Sequence, residues 1–204
     1  MVQKILRVLD LFSGLGGFSE AFLRAGHDVV RLDNNSMMID IEGTQIYDVT
    51  KVLQDDSHAQ MWGSFDVILA SPPCLDFSLA YSAPRPRAER EGRTYFPDLT
   101  CLESAIRFDE ILKPTYFIVE NVAGSIKYFR PYLGDFRQKI GPFVLYGRCP
   151  QIVMPYDWHH SKYDGDLPHG HPLRANHRGK IPLEVSKAVL DAVSSPTLGG
   201  WVGI

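Results

Sequence analysis

The stretch Ser71–Ser78, SPPCLDFS, sets a cysteine behind two prolines where the apolar run Phe65–Ala70 has to end. Pro72 and Pro73 fix φ and remove two backbone donors, so the loop that carries Cys74 is stiff. A thiol held in that way suits covalent catalysis, its thiolate being the attacking form. A small buried hydrophobe is the commoner use of a cysteine, and Cys101 and Cys149 fit it better. Glu120 ends a second wholly apolar run, Tyr116–Val119, which brings a carboxyl out beside a hydrophobic core. Partial burial raises a carboxyl pKa and makes proton donation feasible near neutrality. A glutamate capping the next helix is the structural alternative.

A third feature is Asp10–Gly17, DLFSGLGG, which closes one apolar run and opens a helical one. Such a turn lets backbone approach a ligand and presents the free N–H groups of a helix start. Asp33 follows Gly14 by 19 residues at the end of the next strand, where an acid can bridge ribose hydroxyls. Asp48 ends a further strand and can accept from an adenine amino group. The spacing Gly14-x-Gly16-Gly17 departs from GxGxxG, which disfavours a nicotinamide oxidoreductase and favours another nucleoside cofactor.

These residues need elements to hold them. Apolar runs predict strands over Ile5–Leu11, Val29–Leu32, Ile46–Val49, Phe65–Ala70 and Tyr116–Val119. Helical spacing falls at Phe18–Ala25, Leu99–Leu112 and Ile181–Val193. Alternating strands and helices predict an α/β fold with a mostly parallel, doubly wound sheet and helices on both faces. Gly14, Asp33, Asp48, Cys74 and Glu120 all lie at or just past a strand's carboxyl end, the edge where open α/β sheets bind ligands. From about Pro142 to Gly179 the periodicity gives way to Pro, Gly and His.

The 204 residues suit one domain, and 45% hydrophobic with 22% charged residues is an ordinary globular balance. A net charge of -3 means that nucleic-acid contact must rest on a local patch. Arg85, Arg87, Arg90 and Arg93 form one, read either as a mobile loop touching nucleic acid or as a solvated charge run with internal Arg–Glu pairs. Three scattered cysteines imply a reducing compartment, and the N-terminus carries no leader pattern. No apolar run nears the roughly 18 residues of a membrane span, so a soluble, cytoplasmic protein with no membrane partner is expected. His159, His160, His169, His171 and His177 have no structural zinc spacing, and no metal is expected.

Taken together, DLFSGLGG at 10–17, SPPCLDFS at 71–78, Pro97–Ile106, ENV at 120–122 and GKIPLEVSKAVLDAV at 179–193 resemble the ordered motifs of the C5-cytosine DNA methyltransferases. The resemblance covers residues 6–123 and 179–193. It implies a Rossmann-like class I methyltransferase fold, S-adenosyl-L-methionine as cofactor, and DNA as partner, as in restriction–modification systems. Cys74 would attack C6 of a flipped-out cytosine and Glu120 would hold N3. Phe12, Gly14, Leu15, Gly16, Gly17, Asp33, Asn34, Asp48, Val49, Pro72, Leu99 and Lys180 would contact the cofactor. Ser78, Arg85, Arg87 and Asn121 would lie on the substrate side, with Asn121 bracing the Cys74 loop.

The departures from the family pattern are as informative. Leu75 stands where the family has glutamine, and Gly179-Lys180 where Asn-Ala or Asn-Ser is usual. The QxRxR segment that supplies a catalytic arginine is missing, which leaves Arg148 and Arg178 as substitutes. Between the two arms of the resemblance, 124–178 reads as an irregular insert of 55 residues, too short for a target recognition domain. A specificity subunit, self-association, a short target or a non-duplex substrate would each account for that. The same chemistry on RNA or a free cytosine nucleotide, and a non-catalytic subunit of a split methyltransferase, are the alternatives.

Overall fold

Strands β1 (Arg7–Leu11), β4 (Val67–Ala70) and β5 (Tyr116–Val122) are buried at nearly every position, as strands covered on both faces must be. In the computed structural model, which describes residues 4–161 and 166–194, they form the middle of a seven-stranded sheet. β2 (Asp28–Asp33) and β3 (Thr44–Ile46) extend it on one side, β7 (Phe143–Arg148) and β6 (Gln138–Ile140) on the other, in the order β3-β2-β1-β4-β5-β7-β6. The pairs from β3 through β5 are parallel, and β7 runs antiparallel to both β5 and β6. Strand order reverses between β1 and β4, so the switch point lies there.

Alternate residues of each strand feed two cores. Val8, Val67, Leu69 and Ile118 pack with Phe22 of α1 (Glu20–Arg24) and with Val185 and Val189 of α7 (Leu183–Ser194). Leu9, Ile68, Ala70 and Val119 pack with Leu102 and Phe108 of α4 (Thr100–Leu112) and Phe129 of α5 (Ile126–Leu133). The remaining helices are α2 (Ser57–Gln60), α3 (Pro84–Arg90) and α6 (Arg174–Gly179). Among the described residues, no helix is long and apolar enough to cross a membrane.

Register decides the geometry of the site. Leu11 pairs with Leu32 on one side and Ala70 on the other, and Ala70 pairs with Val119. The next residues out of each strand, the glycine turn, Asp33, the Ser71–Cys74 loop and Glu120, therefore share one edge.

Two expectations need correcting. The segment 124–178 is not irregular throughout: α5, β6 and β7 occupy its first half, and β7 fills the sheet beside β5. Phe143–Tyr146 is a buried apolar run of the same kind as β4. The first helix is shorter than its spacing suggests, because residues 13–19 are spent on the turn.

Candidate active site

The turn after β1 is built by its neighbours. Gly14 N–H donates to Asp33 Oδ2 at 2.8 Å, and Ser13 N–H donates to the Leu32 carbonyl at 3.2 Å. Asp33 Oδ1 accepts from Asn35 N–H at 2.9 Å, so each carboxylate oxygen keeps a lone pair for a ligand. Asp48 begins the 3-10 turn Val49–Leu53, its Oδ1 accepting from the Thr50 N–H and hydroxyl. Phe12 adopts φ 58, a conformation that is costly for an aromatic residue and that clusters at ligand sites. A Cβ on Gly17 would lie 2.4 Å from the Ile181 carbonyl oxygen, so only glycine lets the start of the terminal motif close on the turn. Lys180 reaches the same position from that motif.

A buried network absent from the sequence expectations stiffens this turn. Arg31, in the middle of β2, is fully buried and donates to Ser19 Oγ, the Gly16 carbonyl and the Glu42 carbonyl at 2.7–2.9 Å. Ser19 Oγ donates to Asp10 Oδ2 at 2.6 Å. Burial raises the Asp10 pKa to about 6, although the Ser19 bond and the Arg31 charge pull it down. The available signal was a charged residue inside the apolar run of β2.

On the other side of the switch point, the Cys74 loop is tied down at three places. Asn121 Nδ2 donates to the Pro72 carbonyl at 2.9 Å. Asp76 accepts from the Tyr95 hydroxyl at 2.7 Å and from Asp98 N–H at 3.0 Å. Phe77 is buried edge-on against Phe129, centroids 5.0 Å apart, and its carbonyl passes so close to Gly124 that a Cβ there would lie 1.9 Å from the oxygen. Asp76 and Gly124 are further positioning residues that sequence reasoning passed over. Gly124→Ala is expected to displace the loop and lower turnover about 100-fold, with cofactor binding unchanged, as single-turnover rates and calorimetry would show.

Cys74 itself is exposed at the loop's tip, while Glu120 is buried at the end of β5. Burial lifts the Glu120 pKa to about 7, and the nearby Ser71 hydroxyl lowers it somewhat without closing a well-formed hydrogen bond. Although the residue as a whole is exposed, protein packed around the thiol raises its pKa, and the Glu120 charge raises it further. The two residues leave adjacent strands, Ala70 of β4 pairing with Val119 of β5. Tyr146, hydrogen-bonded to Ser125 at 2.8 Å, senses the same carboxylate from β7.

The other expected residues divide. Pro72, Val49 and Leu99 sit in the buried or half-buried walls of this edge, Leu15 is half-buried, and Asn34 is exposed beside Asp33. Ser78 Oγ accepts from Ala80 N–H at 3.2 Å and shapes the chain after the loop. Arg85 and Arg87 are paired along α3 with Glu89 and Glu91, the charge-run alternative. Arg148 does not reach the site. It pairs with Phe117 at the opposite end of β5, is held by Asp109 and donates to the Pro114 carbonyl at 3.0 Å. The antiparallel direction of β7 carries it to the wrong edge. Arg178 lies in α6, whose Asn176 Nδ2 is 3.5 Å from where a Gly14 Cβ would be, so this arginine stays on the cradle's side.

The switch-point cradle and the thiol–carboxyl edge together define a Rossmann-like methyltransferase architecture. A family model, the C-5 cytosine-specific DNA methylase, matches residues 6–132. The chain belongs to that family. It is 33% identical over 139 residues to the Type II methyltransferase M.AplI of Arthrospira platensis, covering 65% of this chain and 36% of that protein. It is 28% identical over 169 residues to the Type II methyltransferase M.DdeI of Desulfomicrobium norvegicum, covering 75% and 37%. Among solved structures, S. pombe Dnmt2 methyltransferase aligns at 21% identity and TM-score 0.37, covering 59% of this chain and 36% of that one. The chain spans a little over a third of the length of the two curated relatives.

Proposed function

We propose that this chain transfers a methyl group from S-adenosyl-L-methionine to C5 of cytosine in DNA. The observation that supports it is that the Cys74 loop and Glu120 leave adjacent paired strands at one sheet edge, with Asn121 tied to the Pro72 carbonyl, beside a nucleoside-type cradle. Phe12, the Gly14–Gly17 turn, Asp33 and Asp48 fit an adenosyl group, with Asp33 placed for ribose hydroxyls, and Lys180 closing from the terminal motif. When bound, S-adenosyl-L-methionine supplies an electrophilic methyl group.

The chain's own residues make C5 reactive. C5 of cytosine is a poor nucleophile until a group adds at C6. The Cys74 sulfur forms a bond to C6, and the displaced π electrons load the C5 side of the ring. Glu120, half-protonated near pH 7, gives its proton to N3 and so neutralises the ring as that charge develops. After C5 is substituted, loss of its proton restores the double bond, the sulfur leaves C6, and N3 returns its proton to Glu120. A base inside a duplex cannot meet the sulfur, so the target has to leave its stack.

Incubation with labelled S-adenosyl-L-methionine and a panel of duplex DNA, single strands, tRNA and dCMP tests the proposal. Label in DNA C5 supports it, and label in RNA or dCMP alone replaces DNA with that substrate. Cofactor binding without label on any of them makes the chain the non-catalytic subunit of a split enzyme. Asp33→Ala is expected to weaken binding of S-adenosylhomocysteine 10- to 100-fold, read by calorimetry, because a ribose partner and the Gly14 anchor are both lost.

A further inference from the structure

Several large apolar side chains stand exposed along the Cys74 loop and the segments that follow it. Leu75 follows the nucleophile directly and is exposed, as is Leu79. Phe96 is 84% exposed, although Tyr95 and Asp98 on either side of it are both anchored on Asp76, two residues from Cys74. Tyr81 is 79% exposed, and the Arg90 guanidinium lies over its ring at 3.8 Å. Two rings this exposed, one of them carrying a guanidinium on one face, are not packing for this chain's core.

The charges beside them narrow the choice of occupant. Arg85 pairs with Glu89, and Arg87 and Arg93 with Glu91, whereas Arg90 has no carboxylate partner among the described residues. α3 and the residues following it thus offer an uncompensated cation stacked on an aromatic ring. Stacked aromatic and guanidinium planes bind unstacked bases irrespective of sequence, with the cation free for a phosphate. Major-groove reading needs several side chains delivered into the groove, whereas a stacked cation and ring read no sequence.

Resting on the methyltransferase reading above, we infer that Tyr81 with Arg90, and Phe96, form a stacking platform for the nucleotides flanking the target cytosine, and that the preferred substrate is a single-stranded or locally opened strand. In this reading the rim holds the neighbours of the target base while Cys74 and Glu120 engage the base itself.

The test is fluorescence anisotropy of the full chain with a labelled single-stranded 12-mer, one cytosine in oligo(dT), and with the same strand in a duplex. The single strand is expected to bind at least about 10-fold more tightly than the duplex. Tyr81→Ala and Phe96→Ala are each expected to weaken it about 10-fold. Arg90→Gln is expected to reduce the slope of log affinity against log salt by roughly 0.7. All three side chains are at the surface, and S-adenosylhomocysteine binding and melting temperature serve as checks that the variants fold. Equal or tighter duplex binding, no binding of either form, or wild-type affinity in both aromatic variants overturns the platform. Because the assay reads binding, a strand that binds but takes no label counts against the chemistry alone. Methylation of duplex by unimpaired aromatic variants counts against the platform alone.

Discussion

Cys74→Ser is expected to lower methyl transfer by on the order of 10⁴-fold or more while leaving cofactor affinity and melting temperature near wild type. The hydroxyl is nearly isosteric but has no accessible anion, and without addition at C6 the C5 position stays unreactive. The loop should hold its shape, since Asn121, Asp76 and Phe77 anchor backbone or other side chains, not the thiol. Cys101 offers no substitute. Burial and the charges of Asp98, Asp48 and Asp76 push its pKa up to about 11. Cys149, on the far side of the sheet from the loop, is pushed to about 12 by burial. Single-turnover assays with labelled cofactor measure the loss directly.

Glu120→Gln is expected to separate activity from stability. Turnover should fall roughly 10²- to 10⁴-fold, since the amide cannot give N3 a proton. The wild-type pH profile of kcat/KM should rise while the Cys74 thiolate fraction grows, then bend flat near pH 7 as Glu120 loses its proton. In the variant that bend should vanish, and the rate should keep rising until the thiol itself has ionised. Stability should move the other way. The folded pKa of about 7 lies above the ordinary 4.5, so the folded state holds the proton more tightly than the unfolded chain. Its contribution is complete below about pH 4.5 and is lost as pH rises through about 7. At pH 8 the wild type bears a buried carboxylate, and the amide should recover up to about 3 kcal/mol. Thermal melts of the two proteins at pH 5 and pH 8 read that difference.

Much of this site was legible in the sequence because its signals are local. Two prolines before Cys74, apolar runs ending just before the Cys74 loop and at Glu120, and the 19-residue interval to Asp33 each follow from chain stiffness and strand periodicity. The doubly wound sheet follows from the same alternation. What stayed hidden depends on contacts between distant segments. Gly124 looks like any glycine until the Phe77 carbonyl is laid against it. Asp76 acquires its role only when Tyr95 and Asp98 fold back onto it. Arg148 looked well placed along the chain, yet the antiparallel turn between β6 and β7 sends it to the opposite edge. Arg31 is the converse case, a charge inside an apolar run whose partners Ser19 and Gly16 are set by the turn it supports.

The most direct measurement is mass spectrometry of the protein after incubation with cofactor and a 5-fluorocytosine-containing strand. Fluorine at C5 blocks the proton loss that would release the sulfur, so a covalent protein–DNA adduct mapping to the Cys74 peptide, absent from Cys74→Ser, is expected. Methyl transfer without an adduct, or an adduct mapping to Cys101 or Cys149, would contradict attack by Cys74 opposite Glu120.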